Sequence, residues 1–313
     1  MTTLRRPFRF GVQIHQADSA NDWKERARKA EALGFDVLVI SDHFGGGFAY
    51  GPALAMAAAV TSKLRFGTLV LQNPLRHPAL VAQEAATLDL LSDGRFELGI
   101  GAGGSDMRDY EQTGIPFDPP GKRAGQLEES IQVIKALFRD EPLTFNGRFY
   151  HFSEFESFPR PLQRPAVPLL IAAGGARLLR MAAREADIVS ILPLMLPQGG
   201  AFRLDEFTDS AFHRKVELIA ADAGARFEKM EINMLVQRLS VTDHPEQVAE
   251  QIGEHWRITP DEVLASPYAL LGTEQQIVDL IIERREQLEI SYYVVFERDL
   301  DAFAPIVARL KGR

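Results

Sequence analysis

Eight short apolar runs alternate with amphipathic segments, and this alternation constrains the fold more than any other feature of the chain. The runs have the length and the β-branched content of buried strands. Most of them precede a segment with apolar residues at three- and four-residue spacing, which is typical of a helix packed on one face. Eight such units in succession predict a (β/α)8 TIM barrel of the α/β class. The eight predicted strands are residues 8–14, 36–40, 64–71, 95–100, 168–173, 187–192, 231–237 and 291–296.

A doubly wound sheet is the alternative fold, and the stretch GIGAGG at 99–104 favours it at first sight. The stretch matches G-x-G-x-x-G directly after a predicted strand, as in dinucleotide-binding folds. In those folds the third glycine belongs to a helix that starts at once. Here Pro116, Pro119 and Pro120 delay the next helix to about residue 122. We therefore interpret the glycines as a loop that allows close backbone approach to a flat ligand.

Two segments interrupt the alternation. Residues 140–167 contain two short predicted strands around Asn146-Gly147, a strong hairpin dipeptide, and are interpreted as an insertion between barrel units. Residues 193–206 predict a mobile loop, and together with the loops at 44–50 and 104–121 they are expected to form the substrate-facing C-terminal face. No linker or shift in composition divides the chain, so we expect residues 1–313 to form a single barrel domain.

The charge and the cysteine count limit the possible partners. A formal net charge of −8 argues against a nucleic-acid or anionic-membrane partner. The absence of cysteine excludes disulfides, thiolate catalysis and cysteine-ligated metals. The first residues lack an apolar core long enough for a signal peptide, and no later run approaches the length of a membrane span. A cytoplasmic protein that acts on a small molecule is therefore expected.

The stretch VLVISDHFGGG at 37–47 places an aspartate, a histidine and three glycines directly after a predicted strand. A strand covered on both faces is continuously apolar, so Asp42 and His43 must lie beyond its C-terminal edge, where TIM barrels carry their catalytic groups. Imidazole titrates near neutrality and suits general acid or base catalysis. We therefore select His43 as catalytic, with Asp42 to orient it or to contact a cofactor. His15, after the first strand, is a second candidate for the same pocket.

Four stretches of the chain together resemble the luciferase-like monooxygenase superfamily, and within it the branch that uses the deazaflavin coenzyme F420. The resemblance depends on the order and spacing of the stretches and covers roughly residues 8–300. It implies a (β/α)8 barrel, an oxidoreductase activity and F420 as the cofactor. The stretches are LGFDVLVISDHF, LRFGTLVLQNPLRHPALVAQEAATLDLLSDGRFELGIGAG, AGQLEESIQVIKALF and PLLIAAGGARLLRMAAREADIV.

The resemblance also implies roles for residues around the cofactor ring. His43 matches a histidine that the deazaflavin enzymes keep near the reactive carbon of the ring. Leu69 and Val70 match a bulge, often with a non-prolyl cis peptide, that supports the back face of the ring. Gln72 and Asn73 then follow at the ring edge.

Two glycine-containing loops complete the implied cofactor site. The first matches the loop beside the ring or its ribityl chain. The second matches a loop and helix start that hold the cofactor phosphate through backbone N–H groups, in accord with the affinity of helix N-termini for anions. An arginine on the first turn of that helix would add positive charge. The residues concerned are Gly101, Gly103, Gly104, Gly174, Gly175 and Arg177.

One position departs from the pattern of the branch. Enzymes of this branch that oxidise a sugar phosphate keep a glutamate, the proposed acid, in the loop after the fourth strand, and the corresponding residue here is Gly104. Asp106 lies two positions further along. The resemblance therefore does not extend to a sugar-phosphate substrate.

The sequence predicts hydride transfer between F420 and a small organic substrate, with His43 handling the proton. One alternative is an FMN-dependent monooxygenase that uses FMNH2 and O2, with a separate flavin reductase as partner, and another is a non-catalytic flavin-binding relative. No metal is expected, because the chain lacks the H-x-H pattern of metal-dependent barrels. The absence of G-x-S-x-G argues against a serine hydrolase. By the resemblance, a homodimer is expected, with helices at 51–61 and 78–91 in its interface.

Overall fold

The computed structural model describes residues 6–104 and 106–313. The expectation that no signal peptide is present concerns residues 1–14, and residues 1–5 lie outside the described part. In chain order the strands are β1 (Arg9–Gln13), β2 (Val37–Ile40), β3 (Arg65–Thr68), β4 (Leu71–Gln72), β5 (Phe96–Gly101), β6 (Leu143–Asn146), β7 (His151–Phe155), β8 (Leu169–Ala173), β9 (Ile188–Ile191), β10 (Glu231–Leu235), β11 (Arg238–Val241), β12 (Ala269–Gly272) and β13 (Ile290–Phe296).

The main sheet is a closed ring of parallel strands. Its order is β3-β2-β1-β13-β10-β9-β8-β5-β4, and β3 also pairs with β5, which closes the ring. Because β3 and β4 share one position, the ring has eight positions, and each contains one of the eight strands predicted from the sequence. The predicted (β/α)8 TIM barrel is therefore confirmed.

Helices cover the outside of the ring. Helix α1 follows β1, α2 follows β2, α3 follows β4, α5 follows β5, α6 follows β8, α7 follows β9 and α11 follows β13. The bounds are α1 (Ala20–Ala32), α2 (Tyr50–Ala58), α3 (Pro78–Leu91), α4 (Arg108–Glu111), α5 (Pro120–Leu137), α6 (Ala176–Glu185), α7 (Asp209–Ala223), α8 (Pro245–Trp256), α9 (Pro260–Ala265), α10 (Glu274–Leu288) and α11 (Leu300–Leu310).

The third barrel strand is broken between β3 and β4, where the peptide bond between Leu69 and Val70 is cis. The Thr68 hydroxyl donates to the Gly99 carbonyl at 2.7 Å and accepts from the Gly99 N–H at 2.9 Å. These two side-chain bonds occupy the backbone groups of Gly99 where the ladder is interrupted. A Cβ at position 99 would overlap the Thr68 backbone, so this close approach requires glycine.

The predicted insertion is present as an antiparallel pair, β6 and β7. Residues 147–150 join the strands, so the connection is longer than the two-residue turn suggested by Asn146-Gly147. The Glu129 carboxylate on α5 organises this loop, because it accepts hydrogen bonds from the Arg148 and Phe149 N–H groups at 2.8 Å each. The loop conformation therefore depends on a contact with a distant helix rather than on local turn chemistry alone.

A second excursion, between β10 and β13, is absent from the sequence prediction. It contains α8, α9 and α10, together with β11 and β12, which pair in parallel apart from the main ring. Each of these two strands has only four residues, and β11 reads RLSV, with polar residues at alternate positions. Short mixed segments of this kind carry a weak strand signal.

Charged side chains fill the amino-terminal end of the barrel. Arg9 forms ion pairs with Glu97 and, at 2.6 Å, with Glu231, and Arg65 lies 2.5 Å from Glu97. Burial alone would lower the pKa of Arg9, but these two carboxylates raise it above its ordinary value. The cluster links β1, β3, β5 and β10 at the end of the barrel opposite the carboxyl ends of the strands. In the described ranges, no helix is both long and apolar enough to cross a membrane.

Candidate active site at the carboxyl end of the barrel

A cavity of about 730 Å³ opens at the carboxyl end of the barrel strands. This volume lies within the range of small-molecule sites, and most of the lining side chains are apolar. The loop that contains residues 193–202 covers part of it. Among the residues selected from the sequence, the cavity is lined by His15, His43, Leu69, Val70, Gln72, Gly101, Gly103, Gly174, Gly175 and Arg177.

His43 is held by Asp109, a residue of the short helix α4 that the sequence analysis did not select. The Nδ1 atom of His43 lies 2.6 Å from Oδ2 of Asp109, whose side chain is buried. The other carboxylate oxygen of Asp109 accepts from the Phe44 N–H at 2.8 Å. This geometry favours the tautomer with a proton on Nδ1, so Nε2 is the nitrogen available to the cavity.

Asp42 does not orient His43, and that prediction is wrong. Its Oδ2 atom accepts from the backbone N–H of Gln72 at 3.0 Å and pairs with the Arg76 guanidinium. Arg76 lies over the ring of Tyr50, 5.0 Å from its centroid. Asp42 therefore joins the β2 loop to β4 behind the cavity wall. An aspartate does bind the His43 imidazole, but it is Asp109 rather than the adjacent Asp42.

Gln72 connects three segments of the site. Its Nε2 atom donates to the Asp42 carbonyl at 2.7 Å and to Asp109 Oδ2 at 2.8 Å. Its Oε1 atom accepts from the Gly104 N–H at 3.1 Å and from the Tyr110 hydroxyl at 2.9 Å. Gln72 lines the cavity, but its amide is fully engaged by protein groups. Its role in this structure is to fix the carboxylate that holds His43.

Asn73, predicted at the ring edge, lies elsewhere. It begins a 3-10 turn, Asn73–Leu75, immediately after β4, and it is buried. Its neighbours include α5, which packs against this turn on the outside of the barrel. The break in the third strand changes the direction of the chain here, and the alternation of the apolar run does not reveal that change.

His15 lies next to His43 at the same mouth. Its Nδ1 atom is 2.8 Å from the Ser41 hydroxyl. Burial, and then the proximity of His43, lower the pKa of His15 below its ordinary value, which favours the neutral imidazole. Two adjacent imidazoles therefore face the cavity from the ends of β1 and β2.

The cis peptide between Leu69 and Val70 forms a ledge on one side of the cavity. The Gln13 side chain fixes this ledge from below, because its Nε2 atom donates to the Leu69 carbonyl at 2.9 Å. Opposite Val70, a Cβ at Gly101 would lie 3.1 Å from the valine side chain. The glycine therefore leaves room beside the ledge. The cis peptide implied by the resemblance is confirmed.

The glycine loop after β5 turns away from the cavity at Gly103 and Gly104, where φ is +74° and +100°. A Cβ at position 104 would lie 2.8 Å from the Phe117 ring. Arg123, on the first turns of α5 and missed by the sequence analysis, donates to the Ala102 carbonyl at 3.0 Å and also to that of Gly103. The loop is thus held in place from both sides.

Asp106 does not take the place of the missing glutamate. Its carboxylate is bound by Arg108, with 3.0 Å between Nε and each of the two carboxylate oxygens. Hydrogen bonding to this guanidinium lowers the pKa of Asp106 to about 2. The group is an anion at neutral pH and cannot donate a proton there.

The loop between β8 and α6 has the predicted form of an anion site. Gly175 is the N-cap of α6, and both Gly174 and Gly175 line the cavity. A Cβ at Gly174 would lie 2.6 Å from the Pro193 carbonyl oxygen, so glycine is required for the contact between this loop and the next. Arg177 lies on the first turn but is paired with Glu128, at 2.7 Å. The free N–H groups of the helix end are therefore the main attraction for an anion.

The loop at 193–206, called the cover below, is held against the barrel by a buried lysine. Lys215 on α7 donates to the Leu192 carbonyl at 2.8 Å and lies 2.5 Å from Glu206, so it joins the two ends of the loop at 193–206. Within the loop, the Gly200 N–H donates to the Gly104 carbonyl at 2.9 Å. The segment predicted as mobile is therefore tied to the barrel at both ends and in its middle.

The fold and the cavity together define an α/β barrel with a ligand site at the carboxyl end of its strands. The luciferase-like monooxygenase family model matches residues 5–289, and the chain belongs to this family.

Two curated relatives are similar to this chain, one over about half of its length and one over most of it. An F420-dependent glucose-6-phosphate dehydrogenase of Kineococcus radiotolerans is 37% identical over 169 residues, 51% of this chain and 49% of that protein. The chain thus spans about half the length of that curated relative. A protein of the same name from Segniliparus rotundus is 29% identical over 314 residues, 87% of this chain and 90% of that one.

A solved structure shows the likeness in fold. An F420-dependent secondary alcohol dehydrogenase, in complex with an F420-acetone adduct, superposes with a TM-score of 0.75. The superposition covers 97% of this chain and 99% of that one, at 21% sequence identity.

Proposed function

We propose that the protein is an F420-dependent oxidoreductase that transfers a hydride between the deazaflavin and a small organic substrate, with His43 as general acid and base. The observation that carries the proposal is the His43–Asp109 contact at a cavity that also contains a cis-peptide ledge and a helix N-terminus. The names of the Kineococcus and Segniliparus relatives support F420 as the cofactor.

The residues present fit a planar cofactor with a phosphate. Gly101 leaves space against the ledge that a side chain would fill. Gly174 supports the fit at the other end, because a Cβ there would meet the Pro193 carbonyl oxygen at 2.6 Å, so the backbone of the loop stays uncovered by a side chain. Leu69 and Val70 would hold the ring, and Gly174 and Gly175 the phosphate.

When bound, the deazaflavin supplies a carbon that accepts or donates a hydride, while the protein supplies orientation and a proton. His43 receives the proton on Nε2, because Nδ1 is engaged by Asp109. As the imidazole becomes charged, the buried Asp109 carboxylate stabilises it, and Gln72 and the Phe44 N–H keep the carboxylate in place. Apolar side chains from residues 193–202 line the cavity beside this exchange.

The proposal is tested by reconstituting the purified chain separately with F420 and with FMN. We expect tight binding of F420, weaker binding of FMN, and reduction of F420 without oxygen uptake. A His43→Gln variant should retain the F420 affinity and lose about 10²- to 10⁴-fold in kcat. Tight FMN binding with oxygen-dependent turnover would instead support a flavin monooxygenase, and binding without any turnover would support a non-catalytic protein.

We further propose that the chain forms a homodimer through α2 and α3. Support comes from apolar side chains exposed on these helices, since contiguous exposed apolar surface is typical of interaction sites. Sedimentation equilibrium should give twice the chain mass for the wild type, and a Leu91→Lys variant should shift it toward the monomer. The exposed residues are Met56, Leu80, Leu90 and Leu91.

A further inference from the structure

We infer that the substrate is a neutral, largely apolar alcohol or carbonyl compound, and that the cavity does not select a phosphorylated substrate. The inference deepens the proposed F420-dependent function and rests on it.

The cationic side chains that line the cavity are few, and each is bonded to protein groups. Within the described residues, its lining contains two arginines and no lysine: Arg123 and Arg177, from α5 and α6. Arg123 is buried and donates to the backbone carbonyls of Ala102, Gly103 and Asp118. Arg177 is paired with Glu128. Both guanidinium groups are thus bonded to protein groups: Arg123 to backbone carbonyls next to the loop after β5, and Arg177, on the first turn of α6, to a carboxylate.

The wall at the ends of β1 and β2 carries polar side chains but no lysine or arginine. It contains Gln13, His15, Ser41 and His43. Since burial and the neighbouring imidazole disfavour a charge on His15, this residue offers a neutral hydrogen-bonding group. A hydroxyl or carbonyl oxygen bound at this wall would meet imidazole and hydroxyl groups that can donate or accept a hydrogen bond. A phosphate placed here would meet no compensating charge other than a protonated histidine.

The remaining surface on this side is apolar. Leu235 and Phe296 contribute from the ends of β10 and β13. The cover contributes only apolar side chains to the lining, and several of them are partly exposed, as expected for surfaces that a ligand covers. These side chains are Leu194, Met195, Leu196, Pro197 and Phe202.

One arginine at the rim of the cavity is the cation that an anionic substrate would meet first. Arg298 lies over the Phe296 ring, 4.6 Å from its centroid, and its side chain is 60% exposed. Its Nε atom is 3.6 Å from the Asp299 carboxylate, which offsets its charge. Phe296 separates the guanidinium from the cavity. An anionic group of a larger substrate would have to reach Arg298 outside the cavity. The experiment below therefore tests binding of a phosphorylated substrate through Arg298 as the alternative.

The site also lacks a second acid on the loop after β5. Position 104 has a positive φ, and a Cβ there would lie 2.8 Å from Phe117, so the position accommodates only glycine. Asp106 is held as an anion by Arg108. The proton chemistry of the site thus depends on the imidazoles, and one proton per turnover is what a simple alcohol or carbonyl compound requires.

The oxidation of an alcohol balances with the groups named. The C–H bond of the carbinol carbon breaks, and its electron pair leaves as a hydride to oxidised F420. The O–H proton passes to Nε2 of His43, and the C=O bond forms. The alcohol loses two electrons and the deazaflavin gains them, so no further reactant is needed. The reverse direction reduces a ketone or an aldehyde by the same steps.

The first experiment compares substrates on protein whose F420 affinity has been measured beforehand by fluorescence titration. For the 2-alkanols from 2-propanol to 2-octanol, we expect kcat/KM to rise about two- to fourfold per methylene until the cavity is filled. Glucose 6-phosphate should have a kcat/KM at least about 100-fold below the best alcohol. If glucose 6-phosphate is the better substrate and Arg298→Ala abolishes its turnover, the inference is overturned while F420 dependence stands. Failure to bind F420 would overturn both.

The second experiment measures binding without turnover. Calorimetric titration of 2-octanone into the F420-loaded protein should show at least tenfold weaker binding for Leu196→Arg, a change on the half-exposed cover. The matched control is Leu162→Arg, a half-exposed leucine outside the cavity, which should bind like the wild type. Thermal unfolding of both variants checks that they fold. Unchanged affinity in Leu196→Arg would contradict the assignment of this apolar wall to the substrate.

Discussion

A single buried carboxylate determines which nitrogen of His43 is available for chemistry. Asp109 engages Nδ1 and is itself held by the Phe44 N–H and by Gln72. Without this anchor the imidazole would be free to rotate and to exchange tautomers. Asp109 is therefore a positioning residue that acts through His43.

Asp109→Asn should lower kcat by about 10²- to 10⁴-fold, because the amide no longer stabilises the imidazolium and allows the wrong tautomer. KM and the F420 affinity should change little, and the pH dependence of kcat should shift. The matched control is Asp106→Asn, three residues away on the same loop, which should retain wild-type kcat. Additive losses in the double variant His43→Gln/Asp109→Asn would contradict the proposal that the two residues act as one unit.

His15 predicts a pH dependence of stability. Its pKa in the folded protein lies below the unfolded value of about 6.5, so the unfolded state binds more protons between the two values. Its contribution to stability is present above about pH 6.5 and is lost as the pH falls through the folded pKa. Urea unfolding at pH 7.5 and at pH 5.5 should show a larger loss for the wild type than for His15→Gln. Equal losses would show that His15 is not shifted.

The sequence identified His43 and His15 because each follows a strand directly, and strand ends of a barrel share one face. Asp109 was missed because it lies 66 positions from His43, in the four-residue helix α4, which is too short to show a periodic pattern. Asp42 was assigned to His43 on adjacency alone. Adjacent side chains at a strand end point to different sides. Asp42 therefore pairs with Arg76 and does not contact the His43 ring.

At the scale of elements, the candidate anion site depends on a contact between two loops, the one before α6 and the one after β9. The turn before α6 packs directly on the backbone that follows β9, and this contact leaves no space for a side chain at Gly174. A shift of the loop at 193–206 would therefore move the start of α6.

Gly174→Ala should weaken F420 binding about tenfold or more, because its Cβ would lie 2.6 Å from the Pro193 carbonyl oxygen and would force the loops apart. Gly51→Ala on α2 is the control, since a Cβ there would meet no atom within 4 Å and the residue lies outside the cavity. Its affinity should stay within about threefold of the wild type. Fluorescence titration of F420 measures both variants, and equal affinities would contradict the assigned phosphate site.

All eight barrel strands were predictable because each is an apolar run of strand length. The break in the third strand was not, since residues 69–71 continue the apolar run while the backbone turns at the cis peptide. The resemblance, rather than the pattern, indicated that position. The β11–β12 pair was missed because each strand has only four residues and β11 has mixed polarity, so the pair has little pattern to detect.

At the scale of the whole molecule, the charged cluster and the candidate site lie at opposite ends of the barrel. The charged cluster around Arg9 joins strands across the amino-terminal end, and the cavity opens at the carboxyl end. This separation is common in TIM barrels and allows each end to be altered independently.

Glu97→Gln should destabilise the fold by about 3 kcal/mol, because it leaves Arg9 and Arg65 without a shared buried carboxylate. The F420 affinity and kcat should remain near wild type, since the cluster lies away from the cavity. Chemical unfolding and F420 titration together test the separation. A loss of cofactor affinity without a loss of stability would contradict it.

The central claim is that one cavity orients a deazaflavin between the Leu69–Val70 ledge and His43. A crystal structure of the protein with F420 tests it most directly. The account predicts the ring against the ledge, the phosphate on the backbone N–H groups at the start of α6, and Nε2 of His43 facing the reactive carbon. A cofactor bound with its phosphate away from Gly174 and Gly175, or with its ring remote from His43, would contradict it.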